Sequence, residues 1–297
     1  MIKGRAAIAG LLLAVGLVSA PNRAVACASC GAGGDDALIL APSETWKASV
    51  SMARTGDFIY VKPDGRAGTA VSPVARDAFT VAMARAMGPR AFVTVTAPTV
   101  RNVGDTDERW GVGDPSLGLR YTLVPQAFTD PWLPQVQVVA GFRYALGRSV
   151  NEAVDPGLLD VFGTGHSEVR AGLDLWWGMF DWKLGTAQQL LAPLARAIGQ
   201  VETRPGYGLR STVTAGYGRD GWGRVVAGLV REQAGEQQLD GAAVSGSRRL
   251  LHTVFATADA EVTEADTLRL TAARAGVLGS FNTSRTSAFS LTYMRAW

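Results

Sequence analysis

The sequence predicts an all-β protein, a transmembrane antiparallel up-and-down β-barrel of about twelve strands with long extracellular loops and short periplasmic turns. Three observations lead to this fold class: an export signal at the N-terminus, segments of about ten residues in which apolar and polar side chains alternate, and connections that are alternately short and long. The last segment shows the alternation clearly, because Phe289, Leu291 and Tyr293 share one apolar face and Trp297 closes the run. Alternate residues of a strand point to opposite faces, so such a segment suits a wall that faces lipid.

The first residues have the features of a secretory signal. Lys3 and Arg5 precede the apolar stretch 6–20, and Ala24-Val25-Ala26 offers a small-x-small cleavage site before Cys27. We therefore predict a signal peptide at residues 1–26, a periplasmic Cys/Gly-rich N-terminal tail at 27–44 and an outer-membrane barrel at 45–297. This organisation predicts localisation in the cell outer membrane of a Gram-negative bacterium.

Two alternatives for the N-terminus are an uncleaved membrane anchor and a lipidated Cys27. The apolar stretch is too short for a spanning helix, and Pro21 and Asn22 break it. A lipoprotein signal carries a bulky aliphatic residue three positions before the cysteine, where this chain has Ala24. A cleaved signal is the interpretation that fits these residues best.

Composition argues against a helical membrane protein and against a nucleic-acid partner. Downstream of Ala26 no apolar run reaches the roughly 18 residues that a spanning helix needs. Removal of the signal takes away Lys3, Arg5 and Arg23 and no acid, so the formal net charge falls from +3 to zero. The basic pI therefore gives no reason to expect nucleic acid.

The strands follow one another in a regular order. The first, at 45–54, precedes a long polar connection at 55–77, and the second, at 78–87, turns at Gly88-Pro89 into the third at 91–97. A second long connection and a strand at 115–124 follow, and a tight hairpin is expected where Asp220-Gly221 joins two later strands. The remaining predicted strands lie at 135–146, 167–177, 180–191, 207–218, 222–232, 250–260 and 265–274, with the terminal strand last.

The two faces of these strands differ in chemistry. Apolar sets such as Leu117/Leu119/Tyr121 would face lipid, and the charged residues that alternate with such sets would face a hydrated lumen, because a charge near the lipid midplane costs about 2–4 kcal/mol. A soluble β-sandwich would turn the apolar sets toward a common core instead. Bases outnumber acids on the predicted inner face, which favours anions if the pore is open. The residues predicted to line the pore are Lys47, Arg120, Arg143, Glu168, Arg170, Asp174, Lys183, Arg210, Arg224 and Arg269.

The middle third of the chain resembles a family of bacterial outer-membrane proteins, the "MetA-pathway of phenol degradation" transporters. The stretches that carry the resemblance are 111–121, which opens with Gly-Val-Gly-Asp, 134–148, and 163–172, which opens with Gly-Thr-Gly. Ala145-Leu146-Gly147 departs from the Pro-Thr-Gly usual in the family. The resemblance implies a porin-like barrel for small, often hydrophobic or aromatic solutes, and it implies no catalytic residue. From the sequence alone we interpret Asp114 as a turn or rim residue.

Cys27 and Cys30, near the N-terminus, are candidates for a disulfide or for metal binding. Two thiols three positions apart can close a disulfide in an oxidising periplasm or offer soft ligands to a metal. The chain has only His166 and His252 besides, so a closed four-ligand zinc site is disfavoured, and we predict no cofactor.

Three functions are compatible with such a barrel. The first is a porin-like channel, the second a non-conducting structural or adhesive barrel, and the third an outer-membrane hydrolase with a rim site near His166 and Ser167. Adjacent residues on a strand point to opposite faces, which argues against the hydrolase, so we predict that the protein is not an enzyme. Within the 55–77 connection, Phe58-Ile59-Tyr60-Val61 could fold inward as a constriction or project as a contact surface. The expected partners are outer-membrane lipid, a small-molecule solute and, through the strand ending at Trp297, the barrel-assembly machinery.

Overall fold

Twelve long strands wind in antiparallel order and close into a barrel. A computed structural model describes residues 38–40, 43–70, 75–126, 130, 132–179, 181–198, 200–219 and 223–297. The predicted signal peptide at 1–26, Cys27 and Cys30 lie outside the described residues. The strands are β1 (Trp46–Val61), β2 (Ala67–Ala70), β3 (Ala75–Ala86), β4 (Ala91–Val103), β5 (Glu108–Val112), β6 (Ser116–Val124), β7 (Gln135–Arg143), β8 (Glu168–Met179), β9 (Trp182–Pro193), β10 (Arg196–Ile198), β11 (Val201–Arg204), β12 (Gly208–Arg219), β13 (Gly223–Ala234), β14 (Gln238–Leu239), β15 (Ala242–Ala243), β16 (Arg249–Glu261), β17 (Asp266–Ala275) and β18 (Thr283–Ala296).

The barrel closes where β18 pairs with β1, from Lys47 opposite Ala296 to Val61 opposite Thr283. The other long strands pair with their neighbours in chain order, and β2 and β5 extend the wall beside β1 and β4. Strands β10, β11, β14 and β15 form a separate four-stranded sheet in the loops. Closure leaves no sheet edge with unpaired backbone N–H and C=O groups, for which lipid offers no hydrogen-bond partners. The all-β, twelve-stranded antiparallel barrel predicted from the alternation is confirmed.

Short turns gather at one end of the barrel and long connections at the other. Two residues, 180 and 181, separate β8 from β9, whereas the connection from β7 to β8 spans 144–167 and contains the 3₁₀ helix Val150–Glu152. In outer-membrane barrels the short turns are periplasmic and the long loops extracellular. Within the described residues, no helix has the length and apolar character required to cross a membrane.

Two strands run further toward the extracellular side than the sequence predicts. β1 continues to Val61 and β4 to Val103, past the ends predicted at residues 54 and 97. The prediction of a loop from residue 55 was therefore wrong, because Thr55 to Val61 pair with β18 on a part of the wall above the lipid, where polar side chains are also accommodated. Phe58, Ile59, Tyr60 and Val61 accordingly belong to a strand of the wall and not to a loop.

The outer face is apolar and the inner face is polar. Outward side chains such as Val81, Leu117 and Val213 are 53–59% exposed, while the residues that alternate with them are buried or half-buried inside the barrel. Aromatic side chains lie near the ends of this belt, and one pair at the periplasmic end, Trp182 and Tyr217, packs edge to face at 5.2 Å. The outside of the wall therefore matches lipid, and chemistry that involves a polar solute belongs to the lumen.

Candidate functional site: a charged lumen

The structure places the residues predicted to line a pore on the inner face of the wall. Arg120 on β6 and Asp174 on β8 form an ion pair across the intervening strand, and their side chains are 4% and 1% exposed. Gln137 of that intervening strand lies 3.5 Å from the Arg120 guanidinium. Because each charge is buried, removing one partner of such a pair costs about 3–5 kcal/mol.

Two other clusters share one carboxylate between two arginines. Arg269 binds Asp259 through two hydrogen bonds of 2.7 and 2.8 Å, and Arg224 approaches the same carboxylate at 3.8 Å. Strand register brings them together, because Asp259 lies opposite Arg269 on one side and Arg224 on the other. This section of the inner wall therefore carries an excess of positive charge.

The second two-to-one cluster lies on β7 and β8. Arg143 and Arg170 approach the two oxygens of Glu168 at 3.3 and 3.4 Å. Lys183 and Arg210 lie on the inner faces of β9 and β12, and each has further partners. The inner wall is therefore basic along several neighbouring strands.

A short apolar segment occupies the periplasmic end of the lumen. Leu38, Ile39 and Leu40, here called the plug, are 3%, 1% and 6% exposed and pack against inward residues of β3, β4 and β18. Burial of one such side chain contributes about 1.5–3 kcal/mol. The contacting residues are Ala82, Ala84, Phe92 and Met294.

Lys47 links the plug to the wall. Its ammonium group donates to the Ile39 carbonyl at 3.0 Å and lies 2.9 Å from a carboxylate oxygen of Glu44. The plug belongs to the segment predicted as a periplasmic tail, yet its three residues lie within the barrel. Side-chain packing and these polar contacts hold the plug against the wall, so displacement needs no covalent change.

A long loop folds against the inner wall on the extracellular side. Leu159, Asp160 and Val161 of the 147–166 connection, here called the inward loop, are 2–5% exposed. Asn102 on β4, itself fully buried, donates to the carbonyls of Leu159 at 3.0 Å and Val161 at 2.7 Å. The loop that folds against the inner wall is thus not the 55–77 connection but this one, whose apolar residues Leu158, Leu159, Val161 and Phe162 were the available sequence signal.

The inward loop is also held by its own charges. Asp160 accepts hydrogen bonds from the Arg148 guanidinium at 2.6 Å, from the Val154 amide at 2.9 Å and from the Asp155 amide at 3.3 Å. Burial acts to raise the pKa of Asp160, but these hydrogen bonds together outweigh it and lower the pKa below its ordinary value. The charged form of Asp160 is therefore part of the loop structure.

Asp114 fastens both ends of the inward loop to the rim. Its carboxylate accepts from the amides of Leu146 at 3.1 Å, Gly147 at 2.9 Å and Thr164 at 2.7 Å, and from the Thr164 hydroxyl at 2.7 Å. The close contact between this carboxylate and the backbone at residue 163 requires glycine, since a Cβ on Gly163 would lie 2.3 Å from an Asp114 oxygen. The two Gly-rich motifs of the sequence thus meet in space and form a clasp.

His166 and Ser167 have separate partners beside this clasp. The His166 Nδ1 atom lies 3.1 Å from the Thr164 carbonyl, and the Ser167 hydroxyl accepts from the Ala145 amide at 3.1 Å. Burial lowers the pKa of His166, and the charge of Arg143 lowers it further. The described contacts therefore assign both residues to the rim and do not join them as base and nucleophile.

The barrel wall is interrupted next to the inward loop. β5 pairs with β4 only, while below it β6 pairs with both β4 and β7. A cavity of about 780 Å³ occupies this seam, with Trp110, Val112, Leu146 and Phe162 among its lining residues. Phe162 packs so closely behind Gly111 that a Cβ there would lie 2.2 Å from its ring.

A closed antiparallel barrel with an apolar outer belt and a charged interior is an outer-membrane β-barrel. Among solved structures, the chain is similar to the COG4313 outer membrane channel from Pseudomonas putida F1, with a TM-score of 0.68, 17% identity, and coverage of 89% of this chain and 99% of that one. The CymD monoaromatic hydrocarbon channel (TM-score 0.45, 10% identity, 86% and 89% coverage) and the KdgM porin (0.45, 8%, 84% and 99%) also match. The first similarity shows a shared barrel fold. No protein-family model matches the sequence, and a search of curated proteins gives no significant match.

Proposed function

We propose that this protein is a gated outer-membrane channel for small solutes, with the plug and the inward loop as its two gates. The observation that carries the proposal is a basic inner wall against which one segment packs at each end, each held through non-covalent contacts. A structural barrel needs no such wall, whereas a conduit for solutes does. The Pseudomonas putida barrel of similar fold is an outer membrane channel by name, which favours the same role here.

We further propose small aromatic or apolar molecules as the solute class, as the resemblance to the phenol-degradation transporters implies. The seam supports this choice in part, because aromatic and aliphatic side chains line its cavity together with three arginines and two acids. The volume of the cavity is within the range typical of small-ligand sites. Anions would be preferred among charged solutes.

Planar-bilayer conductance of the refolded full-length protein tests the channel. We expect rare, brief openings from the wild type and sustained openings from Lys47→Met, which removes the bond to Ile39 while keeping side-chain length. Lys62→Met is the matched control, because Lys62 is exposed in the turn between β1 and β2. Under a salt gradient the reversal potential should indicate anion selectivity.

The alternative of a non-conducting structural barrel gives a different result. It predicts silence from wild type and Lys47→Met alike, although both insert into the bilayer. Equal activity of the Lys62→Met control and Lys47→Met would instead show that the plug does not gate conduction.

A further inference from the structure

A groove on the lipid-facing side of the barrel differs from the rest of the apolar belt. Its floor is formed by Ala256, Ala258 and Ala272, whose small side chains lie between larger ones on the flanking strands. Elsewhere the belt presents residues such as Leu117 and Tyr121 at equivalent outward positions. The groove encloses about 510 Å³, within the range of about 300–1,000 Å³ seen for ligand sites.

Strand register fixes the height of this groove in the membrane. Ala256 lies opposite Ala272, Ala272 opposite Phe289, and Phe289 opposite Arg54, so these residues form one lateral row. Arg54 is eight residues from Trp46, which marks the periplasmic end of β1. At about 3.3 Å per residue and a tilt of about 35–45°, this separation is about 20 Å of a belt about 25 Å tall. The upper end of the groove therefore reaches the extracellular lipid boundary.

Arg54 lines that upper end, and Arg274 lies beyond it on the same outward face of the wall. The Arg54 side chain is 59% exposed and lies 3.6 Å from Asp77, whose other carboxylate oxygen accepts a 3.0 Å bond from Arg101. Arg274 lies two residues beyond Ala272 along β17, toward the extracellular side. It is opposite Ser287, to which it donates a long hydrogen bond of 3.4 Å. Among the described residues Arg274 forms no salt bridge.

These cations are positioned for an anion in the head-group region. Arg101 is engaged by Asp77 and by Glu108 at 3.3 Å, which leaves Arg54 with one distant carboxylate. An outward arginine is costly at the lipid midplane but costs little near the interface, where a phosphate can pair with it. An apolar groove beside one outward guanidinium group, with a second one beyond it, matches a ligand that joins an apolar chain to an anionic group.

We propose that this surface binds the phosphorylated, acylated glycolipid of the outer leaflet, lipid A, with one acyl chain along the alanine floor and a phosphate between Arg54 and Arg274. The extracellular height of the arginines selects the outer-leaflet glycolipid over the phospholipids of the inner leaflet. The site lies on the outside of the wall, so the inference is independent of whether the lumen conducts.

Native mass spectrometry of the full-length protein in detergent, titrated with lipid A, tests the proposal. Loss of a charge-assisted contact weakens binding by about tenfold or more, so the double variant Arg54→Gln/Arg274→Gln should bind at least tenfold more weakly than the wild type. Ala256→Leu, which fills the groove without touching either arginine, should also weaken binding. Arg85→Gln is the matched control, because Arg85 faces outward at the periplasmic end, 4.7 Å above the Trp46 ring.

The expected pattern is retention of lipid A by wild type and Arg85→Gln, and weak retention of dephosphorylated lipid A by both. Undiminished binding by the double variant and by Ala256→Leu would overturn the proposal. So would an equal loss in Arg85→Gln, equal retention of phosphatidylglycerol, or a lipid-free dimer that covers the groove. Circular dichroism and heat-modifiable gel mobility establish that each variant is folded.

Discussion

Removal of the Asp114 carboxylate should release the inward loop from the rim while leaving the barrel intact. The carboxylate accepts four hydrogen bonds of 2.7–3.1 Å from Leu146, Gly147 and Thr164. At about 1 kcal/mol each for a partly exposed site, Asp114→Ala should destabilise the closed loop by about 3–4 kcal/mol. Asp114→Asn keeps one acceptor oxygen and should lose about half of that.

Native-state hydrogen exchange measures this effect at amides that Asp114 does not itself bind. The Phe162 and Gly163 amides donate to the Arg148 carbonyl at 2.9 and 3.0 Å, so they report loop opening. Since about 1.4 kcal/mol changes an equilibrium tenfold, we expect protection to fall about 100- to 700-fold in Asp114→Ala and about 10- to 30-fold in Asp114→Asn.

Asp64→Asn is the control for this experiment, because Asp64 caps an exposed turn by accepting from the Arg66 amide at 3.0 Å. It should leave the Phe162 and Gly163 amides unchanged. Unaltered protection of those two amides in Asp114→Ala would refute the clasp, and a uniform loss of protection across the barrel strands would show that Asp114 supports the whole fold.

Three further outcomes are expected. Asp174→Asn and Arg120→Met should each lower the free energy of unfolding in urea by about 3–5 kcal/mol and their double variant by less than the sum, whereas additive losses would exclude a coupled pair. Because the pKa of Asp160 is lowered in the fold, its charged form stabilises the closed loop above the ordinary value of 3.8, and this stabilisation is lost as the pH falls below that value. Acid should therefore open the channel in bilayers. Asp160→Asn should abolish that pH dependence. Gly111→Val should displace the Phe162 ring and change the binding of aromatic solutes, measured by tryptophan fluorescence, and unchanged binding would place the solute elsewhere.

The fold class was predictable because one physical requirement acts on every strand: lipid outside and water inside impose a two-residue alternation that survives in the sequence. The ends of β1 and β4 were not predictable, because above the membrane both faces of a strand contact water. The alternation is then no longer required, while strand pairing continues. The partnership of Arg120 with Asp174 was equally hidden, since it depends on register across a third strand.

The positions of the plug and the inward loop could not be predicted for a different reason. The three residues Leu38, Ile39 and Leu40 follow a Gly-rich stretch and are too few to show any periodicity. The inward loop is held by carbonyls that accept from Asn102 and by an Asp160 that binds its own loop, contacts that no spacing in the sequence specifies. The four apolar residues Leu158, Leu159, Val161 and Phe162 were a visible signal, and their presence in a long polar connection was the information that sequence reasoning left unused.

Closure of the barrel between its first and last strands also has a kinetic consequence. The amides of Thr45 and Trp46 donate to the Trp297 carbonyl at 2.7 and 3.1 Å, and the Trp297 amide donates back to Trp46 at 2.9 Å. These contacts join residues at opposite ends of the described chain, so they carry nearly the largest contact separation the molecule offers and should form late in folding. Until they form, the edges of β1 and β18 carry unpaired backbone groups, and the growing sheet must be shielded from both lipid and other nascent sheets. Pairing of β1 with β18 is therefore expected to be the slowest step of assembly. An intermediate arrested before that step would be the one most exposed to misassembly.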